Sequence, residues 1–338
     1  MTKKLTDAYI FLKTVTICKV FNELLLRISF LFSNIFKIYT HWGKPESISI
    51  EPTNICNLRC PECASGNDSL TRKKTFLTPD DFYKIIDSTY KHLSYLQLFF
   101  QGEPFLNPNI YDFIKYATAK NIYTAVSTNG HFFTPDNCKK IVESKLQRII
   151  ISVDGTTSDI YEKYRVGGNL QIVLNGIKEL VKTKSALKSK TPYVIIQFVV
   201  FSTNEHQIID IKKLAKQLNV DKLELKTAQI ENFSDGNPLI PKNKKYSRYI
   251  KAGAGKYILN KKKNFECKRV WNTTVITADN RVLPCCYDKD AYYSYGTINS
   301  GNTLAEIWKS NKAVKFRKTV RAGNYSVDIC ENCGEKIK

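Results

Sequence analysis

Three cysteines carry the most chemical information in this chain. Cys56, Cys60 and Cys63 lie in the run Glu51-Pro52-Thr53-Asn54-Ile55-Cys56-Asn57-Leu58-Arg59-Cys60-Pro61-Glu62-Cys63, a C-x3-C-x2-C spacing directly after a strand-like Ser47 to Ile50. Thiolates so close in sequence suit three corners of a cubane iron–sulfur cluster, whereas a tetrahedral zinc site wants four ligands and favours C-x2-C pairs. Three thiolates leave one iron open. An open iron binds substrate or cofactor, so the count points to chemistry.

Further acidic, glycine and hydroxyl positions recur at the ends of later strand-like runs. The second such run ends in Gln101-Gly102-Glu103-Pro104, the third in Ser127-Thr128-Asn129-Gly130, and the fourth in Ser152-Val153-Asp154-Gly155, with Tyr164-Arg165-Val166-Gly167-Gly168 downstream. With the cysteine triplet, these motifs resemble the radical S-adenosylmethionine (SAM) superfamily. The resemblance implies a 4Fe-4S cluster on Cys56, Cys60 and Cys63 whose open iron is chelated by SAM. It further implies reductive cleavage of SAM to a 5′-deoxyadenosyl radical that takes hydrogen from a substrate, in an oxygen-poor setting. On the same ground Gly102 and Glu103 receive the SAM ammonium, Ser127 and Ser152 contact SAM, and Arg165 holds its carboxylate through a bidentate guanidinium. Asp154 is expected either at SAM or as the cap of the following helix. Gln197, Ser202, Thr203 and Asn204 are weaker candidates. Glu62 departs from the family pattern, which favours an apolar residue before the third cysteine.

A second set, Cys267, Cys285, Cys330 and Cys333, has the spacing C-x17-C-x44-C-x2-C and supplies four thiolates, enough for a closed cluster. It resembles the short, single-cluster "twitch" form of the SPASM auxiliary domain that follows some radical SAM barrels, and so implies a second, auxiliary 4Fe-4S cluster. A structural zinc remains an alternative, because the pair at 330 and 333 also fits zinc. Cys286 competes with Cys285, since adjacent strand residues point to opposite faces. The run from Ile276 to Cys286 reads as a hairpin turning at Asp279-Asn280. Cys18 and Cys138 read as ordinary apolar or partly buried positions.

These motifs need elements to carry them. Strand-like runs near 47–51, 95–100, 122–127, 147–153, 193–201 and 222–227 alternate with helical patterns at 79–91, 109–120, 135–144, 158–182 and 205–218. Such alternation predicts an α/β fold with a parallel sheet and crossover helices. The resemblance sharpens this to a partial (β/α)6 TIM-like barrel with a small C-terminal α+β domain; ligands sit at the carboxyl ends of the strands. The expected division is an amphipathic helical segment 1–45, a core 46–236, a basic linker 237–264 and an auxiliary-cluster domain 265–338. Residues 1 to about 40 read as one helix with an apolar stripe through Ile10, Thr14, Ile17, Phe21, Leu24, Ile28, Leu31, Ile35 and Ile38. Packing on the protein's own domain or a partner, or lying in a membrane interface, both suit that stripe.

With 338 residues and 43% hydrophobic composition, the chain is long and apolar enough for a large domain plus a smaller one. Cysteines at metal-ligand spacing and the absence of a signal-peptide pattern point to a reducing, cytoplasmic setting, with peripheral membrane contact through the first helix as the variant. Net charge is +21, and nine Lys or Arg fall between Lys242 and Lys263 without an acid. No aromatic–basic interleaving accompanies this charge, so nucleic acid is not an expected partner. The expected partners are a small-molecule or peptide substrate and an electron donor such as flavodoxin or ferredoxin. The expected activity is that of a radical SAM oxidoreductase whose auxiliary cluster accepts the substrate's second electron. A peptide maturase forming a crosslink or formylglycine, and a non-catalytic iron–sulfur carrier, are the alternatives. Lys226, Gln229 and Glu231 are placed as candidates for a base by their position after the sixth strand.

Overall fold

The computed structural model describes residues 3–260, 267–322 and 327–334. Three lysines of the basic run (261–263) and parts of the expected auxiliary domain (265–266, 323–326 and 335–338) lie outside the described residues.

Six strands, β1 (Ser47–Ile50), β2 (Tyr95–Gln97), β3 (Tyr123–Thr128), β4 (Arg148–Ser152), β5 (Tyr193–Val200) and β6 (Lys222–Thr227), pair in parallel in sequence order. Parallel neighbours need crossovers, which the intervening helices supply. This is the partial TIM-like barrel that the motifs imply. Ile48, Ile50, Leu96, Leu98, Val126, Ile149, Ile151, Ile196 and Phe198 share one buried core with helix residues such as Phe82, Phe113, Ile141 and Val173. Since strand side chains alternate, Ser49, Gln97, Ser127, Ser152 and Gln197 belong to the opposite, inner face. The inner face is therefore polar where the outer one is aliphatic.

The sheet does not end at β1. The C-terminal segment contributes β7 (Tyr249–Lys251) and β8 (Tyr257–Leu259) as a separate hairpin, then β9 (Thr273–Ile276), β10 (Arg281–Leu283) and β11 (Gly296–Thr297). Strand β9 pairs in parallel with β1, from Ser47 opposite Thr273 to Ile50 opposite Ile276. The nine strands thus form one sheet, and the second cysteine set is built on an extension of the first. The expected hairpin forms, with Asn280 at φ 64° in its turn.

Two helical expectations are corrected. The pattern at 158–182 is two helices, Ser158–Tyr164 and Leu170–Ala186. The break falls at Gly167, where φ is +83°, a conformation that glycine adopts without steric cost. Asn169 then caps the second helix by accepting from the Ile172 amide. The N-terminal segment is also two helices, α1 (Lys3–Leu12) and α2 (Ile17–Phe36). Between them lie Thr14, Val15 and Thr16, β-branched residues that disfavour helix, and the Thr14 hydroxyl donates to the Phe11 carbonyl. These helices cover the amino ends of the barrel strands: Asp7 pairs with Arg148 and accepts from the Tyr123 hydroxyl, and Lys19 Nζ donates to the Asn121 carbonyl. The carboxyl ends stay clear of them.

The expected apolar stripe divides: Ile10 and Thr14 are buried, and its part on α2 faces outward. Helix α2 buries Lys19, Asn22, Leu26, Ser29, Phe30 and Ser33, while Ile17, Phe21, Leu24, Ile28, Leu31 and Ile35 are exposed. Side-chain hydrogen bonds, which periodicity does not register, decide the orientation. Among the described residues no helix is long and apolar enough to cross a membrane.

Candidate active site

The loop after β1 is folded tightly on itself. The Cys63 amide donates to the Cys60 carbonyl (3.1 Å), and the Gly66 and Asn67 amides donate to the Cys63 carbonyl. A Cβ on Gly66 would lie 2.6 Å from the Cys60 nitrogen, so this turn closes only on glycine. Three ties then hold the loop. Glu51 and Arg72, both buried, form a bidentate pair at 2.8 Å, and Glu51 also accepts from the Ala278 amide. Asp290, from the segment after β10, accepts from the Thr71 and Arg72 amides. Glu62 accepts from the Glu231 amide, which ties the loop to the chain after β6. Nothing local in the sequence marks Glu51, Arg72 or Asp290, because their partners lie 21 or more residues away.

Around this loop the strand ends converge. A Cβ on Gly102 (φ +72°) would lie 2.4 Å from the Thr53 carbonyl oxygen, so its glycine character serves the approach of the β2 end to the cysteine loop. Glu103 is buried and accepts from the Thr128 hydroxyl, the Asn129 amide and the Phe105 amide. Burial pushes its carboxyl up to about 7 against those hydrogen bonds. Asn129 continues the contact by donating to Asn57, beside Cys56.

Asp154 does not cap the next helix. One carboxylate oxygen accepts from Arg165 Nε (2.7 Å) and pairs with Nη2, and the other accepts from the Val199 amide. Asn204 supports the same turn by donating to the Asp154 carbonyl. Arg165 is thereby aimed at the triplet: its Nη1 lies 3.7 Å from Cys60 Sγ. A guanidinium has five N–H donors, so this leaves donors for a carboxylate ligand. Ser152 is buried at the end of β4, and Ser127 half-buried on β3. Ser202 instead donates to the Pro238 carbonyl, and Lys226 pairs with Glu224 on β6.

The triplet thiols influence one another electrostatically, and burial pushes the Cys56 thiol up to about 11 and the Cys60 thiol upward as well. Buried thiols of this kind become thiolates when a metal holds them. In the second set Cys285 is influenced by Cys267 and Cys330, and Cys267 by Cys333, with burial raising both Cys285 and Cys267. Cys286, which also acts on Cys285, accepts from Arg269 at 3.7 Å and packs against Val275, Leu283 and Ala291, and Arg269 in turn acts on Cys267.

The donor sets suit iron–sulfur clusters in kind: three thiols on the triplet loop and four in the C-terminal segment, each buried or half-buried. Buried donors also lack protein partners among the described residues: the Tyr161 hydroxyl near Cys60, the Tyr295 hydroxyl near Cys285 and Cys267, and Nη2 of Arg317 beside Tyr295. Anionic cluster sulfur is the kind of acceptor such donors require.

A cavity of about 380 Å³ is lined by chain neighbours of both cysteine sets, though by no cysteine itself. Ala64 and Ser69 line it from the triplet loop, Gln229 and Glu231 from the chain after β6, and Tyr287 and Asn332 from the C-terminal segment.

Comparison with known proteins agrees with this geometry. Residues 50–215 match the family model described as the radical SAM superfamily, and residues 267–334 match an iron–sulfur cluster-binding (SPASM) domain. The cofactor-modifying protein of tungsten-containing aldehyde ferredoxin oxidoreductase from Pyrococcus furiosus is 24% identical over 315 residues, 84% of this chain and 86% of that protein. The PqqA peptide cyclase of Bradyrhizobium diazoefficiens is 22% identical over 316 residues, 86% of this chain and 79% of that protein. Among solved structures, SuiB of Streptococcus suis bound to S-adenosylmethionine superposes with a TM-score of 0.63 at 13% identity, covering 91% of this chain and 75% of that one. BtrN in complex with AdoMet and 2-DOIA gives 0.53 at 18% identity, covering 86% and 94%. At these identities the structures speak for the fold.

Proposed function

Because the chain belongs to the radical SAM superfamily and carries a SPASM iron–sulfur domain, we propose that it oxidises a peptide side chain or small molecule held between its two cysteine sets. The core is assigned to residues 46–236 and the auxiliary domain to 265–338. Cys56, Cys60 and Cys63 hold the first 4Fe-4S cluster, and Cys267, Cys285, Cys330 and Cys333 the second. When loaded and reduced by a carrier such as flavodoxin or ferredoxin, the first cluster supplies the electron that cleaves SAM. The chain's residues bind and orient. Arg165, fixed by Asp154, grips the SAM carboxylate beside Cys60; Glu103 at the end of β2 receives the ammonium; Ser127 and Ser152 line the polar inner face.

The observation that carries the reading is the position of Arg165, which sets a carboxylate-binding fork against a cysteine of the triplet. For the substrate, the cavity wall presents Glu231, Asp290 and Glu331 against Lys289. In a chain of net charge +21 such a wall favours a substrate bearing an amine or guanidinium. A peptide suits it, as the names of PqqA peptide cyclase and of the SuiB complex with precursor peptide SuiA suggest for those proteins. A small molecule suits it as well.

The auxiliary cluster's role as electron acceptor is tested with a folded Cys330→Ala/Cys333→Ala variant. The ratio of oxidised product to 5′-deoxyadenosine should fall while SAM cleavage continues. An unchanged ratio in well-folded protein lacking that cluster would contradict the role.

A further inference from the structure

Helix α2 presents an arrangement that neither cluster chemistry nor barrel packing uses. Along its 20 residues the outward face carries Ile17, Phe21, Leu24, Ile28, Leu31 and Ile35, from 42% to 89% exposed. This orientation is fixed. Lys19 Nζ donates to the Thr14 and Asn121 carbonyls, Asn22 exchanges hydrogen bonds with the Lys44 backbone in both directions, Ser33 does so with Thr40, and Trp271 Nε1 donates to the Ser29 hydroxyl. Rotating the helix to bury its apolar side would leave the Asn121 carbonyl, the Lys44 backbone and Trp271 Nε1 without these partners, each at about 1–3 kcal/mol. The helix is therefore held polar side in and apolar side out.

Charge says what covers the face. At the carboxyl end of α2 a cavity of about 560 Å³ opens; Cys267 lines it with Phe30, Ile38 and Trp271, and Lys37, Lys318 and Arg321 supply its cationic side chains. Ile38, 58% exposed, lies just past the end of the helix, after the left-handed Lys37, and lines this cavity, so the chain leaving the apolar face enters the cationic rim. The acid on the helix, Glu23, is paired with Arg27. A second copy of this chain would bring its own rim and a net charge of +21 against the first. An anionic bilayer brings the opposite charge and an apolar interior. A helix of 20 residues is about 30 Å long and lies flat on such a surface.

The geometry points to α2 as an interfacial helix that seats the enzyme on an anionic phospholipid surface. Its apolar side chains enter the acyl boundary, and Lys37, Lys318 and Arg321 meet lipid phosphates. The amino ends of the barrel strands, which α1 and α2 cover, then face the membrane, and the cysteine loop at the carboxyl ends stays open to substrate.

The test is sedimentation of the anaerobically purified full chain with vesicles of phosphatidylcholine alone or mixed with phosphatidylglycerol. The chain should pellet with the anionic vesicles and remain largely in solution with the neutral ones. Leu31→Glu with Ile35→Glu should weaken binding about tenfold or more. Lys37→Glu with Lys318→Glu should weaken it about fivefold per residue at low salt. Both variants should keep the wild-type melting temperature and 5′-deoxyadenosine yield. Wild-type protein that stays in solution with anionic vesicles at low salt overturns the inference. So does a dimer that dissociates on Leu31→Glu/Ile35→Glu without vesicle binding, or a melting shift with inorganic phosphate alone.

Discussion

Arg165 joins two sites that lie far apart in sequence: its Nε and Nη2 grip Asp154, while its Nη1 stands 3.7 Å from Cys60 Sγ. The carboxylate behind keeps the guanidinium from swinging away, and Arg165 is held even further toward its charged form than an arginine normally is. Arg165→Lys keeps the charge but loses the planar fork. It should weaken SAM binding about tenfold to a hundredfold while leaving both clusters in place. Equilibrium dialysis with SAM, alongside iron analysis, reads the two effects separately.

Glu103 makes SAM binding depend on pH. Burial raises its carboxyl from the ordinary 4.5 to about 7, so in the folded protein it takes up protons that the unfolded chain binds less well. Its contribution to stability is full below about 4.5 and is lost as pH rises through about 7. An ammonium ligand needs the charged form. SAM should bind more tightly as pH rises from 6 to 8 and release a proton near neutrality, a trend that calorimetry in buffers of different ionisation enthalpy would show. Glu103→Gln should remove the proton release.

The buried Glu51–Arg72 pair clamps the cysteine loop to β1 and to the hairpin of β9 and β10. Glu51→Ala leaves a buried guanidinium without its bidentate partner and should cost about 3–5 kcal/mol. Chemical denaturation measures this. If the clamp positions the triplet, the variant should also reconstitute less iron, with the loss confined to the first cluster's spectrum.

Cys285 and Cys286 should separate cleanly. Cys285 is buried and acted on by Cys286, Cys267 and Cys330, while Cys286 is half-buried, accepts from Arg269 and packs against Val275, Leu283 and Ala291. Wild type should hold about eight irons, two cubanes. Cys286→Ser should retain them, and Cys285→Ser should lose the auxiliary set. The opposite result would exchange the two residues' roles.

The parts of this molecule legible in the sequence are those written locally. The six parallel strands, the hairpin turning at Asn280 and the cysteine spacings each depend on a short run of residues. Long-range polar partnerships were not legible. Glu51 finds Arg72 and the Ala278 amide, and Asp154 finds Arg165 where the motif left a helix cap as the alternative. Glu103 is engaged by Thr128 and Asn129 of the neighbouring strand. The apolar stripe of α2 is legible as a stripe. Its direction stays open in the sequence, because Lys19, Asn22 and Ser33 anchor the helix through partners that no periodicity reveals. The helix expected at 158–182 broke where Gly167 takes a left-handed conformation and Arg165 turns inward.

The central claim is that Cys56, Cys60 and Cys63 carry the cluster that cleaves SAM. It is tested most directly by anaerobic reconstitution of wild type and of the Cys56→Ala/Cys60→Ala/Cys63→Ala variant, each given SAM and dithionite. Wild type should form 5′-deoxyadenosine. The variant should form none while keeping the auxiliary cluster's iron and spectrum. 5′-Deoxyadenosine from the triple variant, or none from fully loaded wild type, would contradict the account.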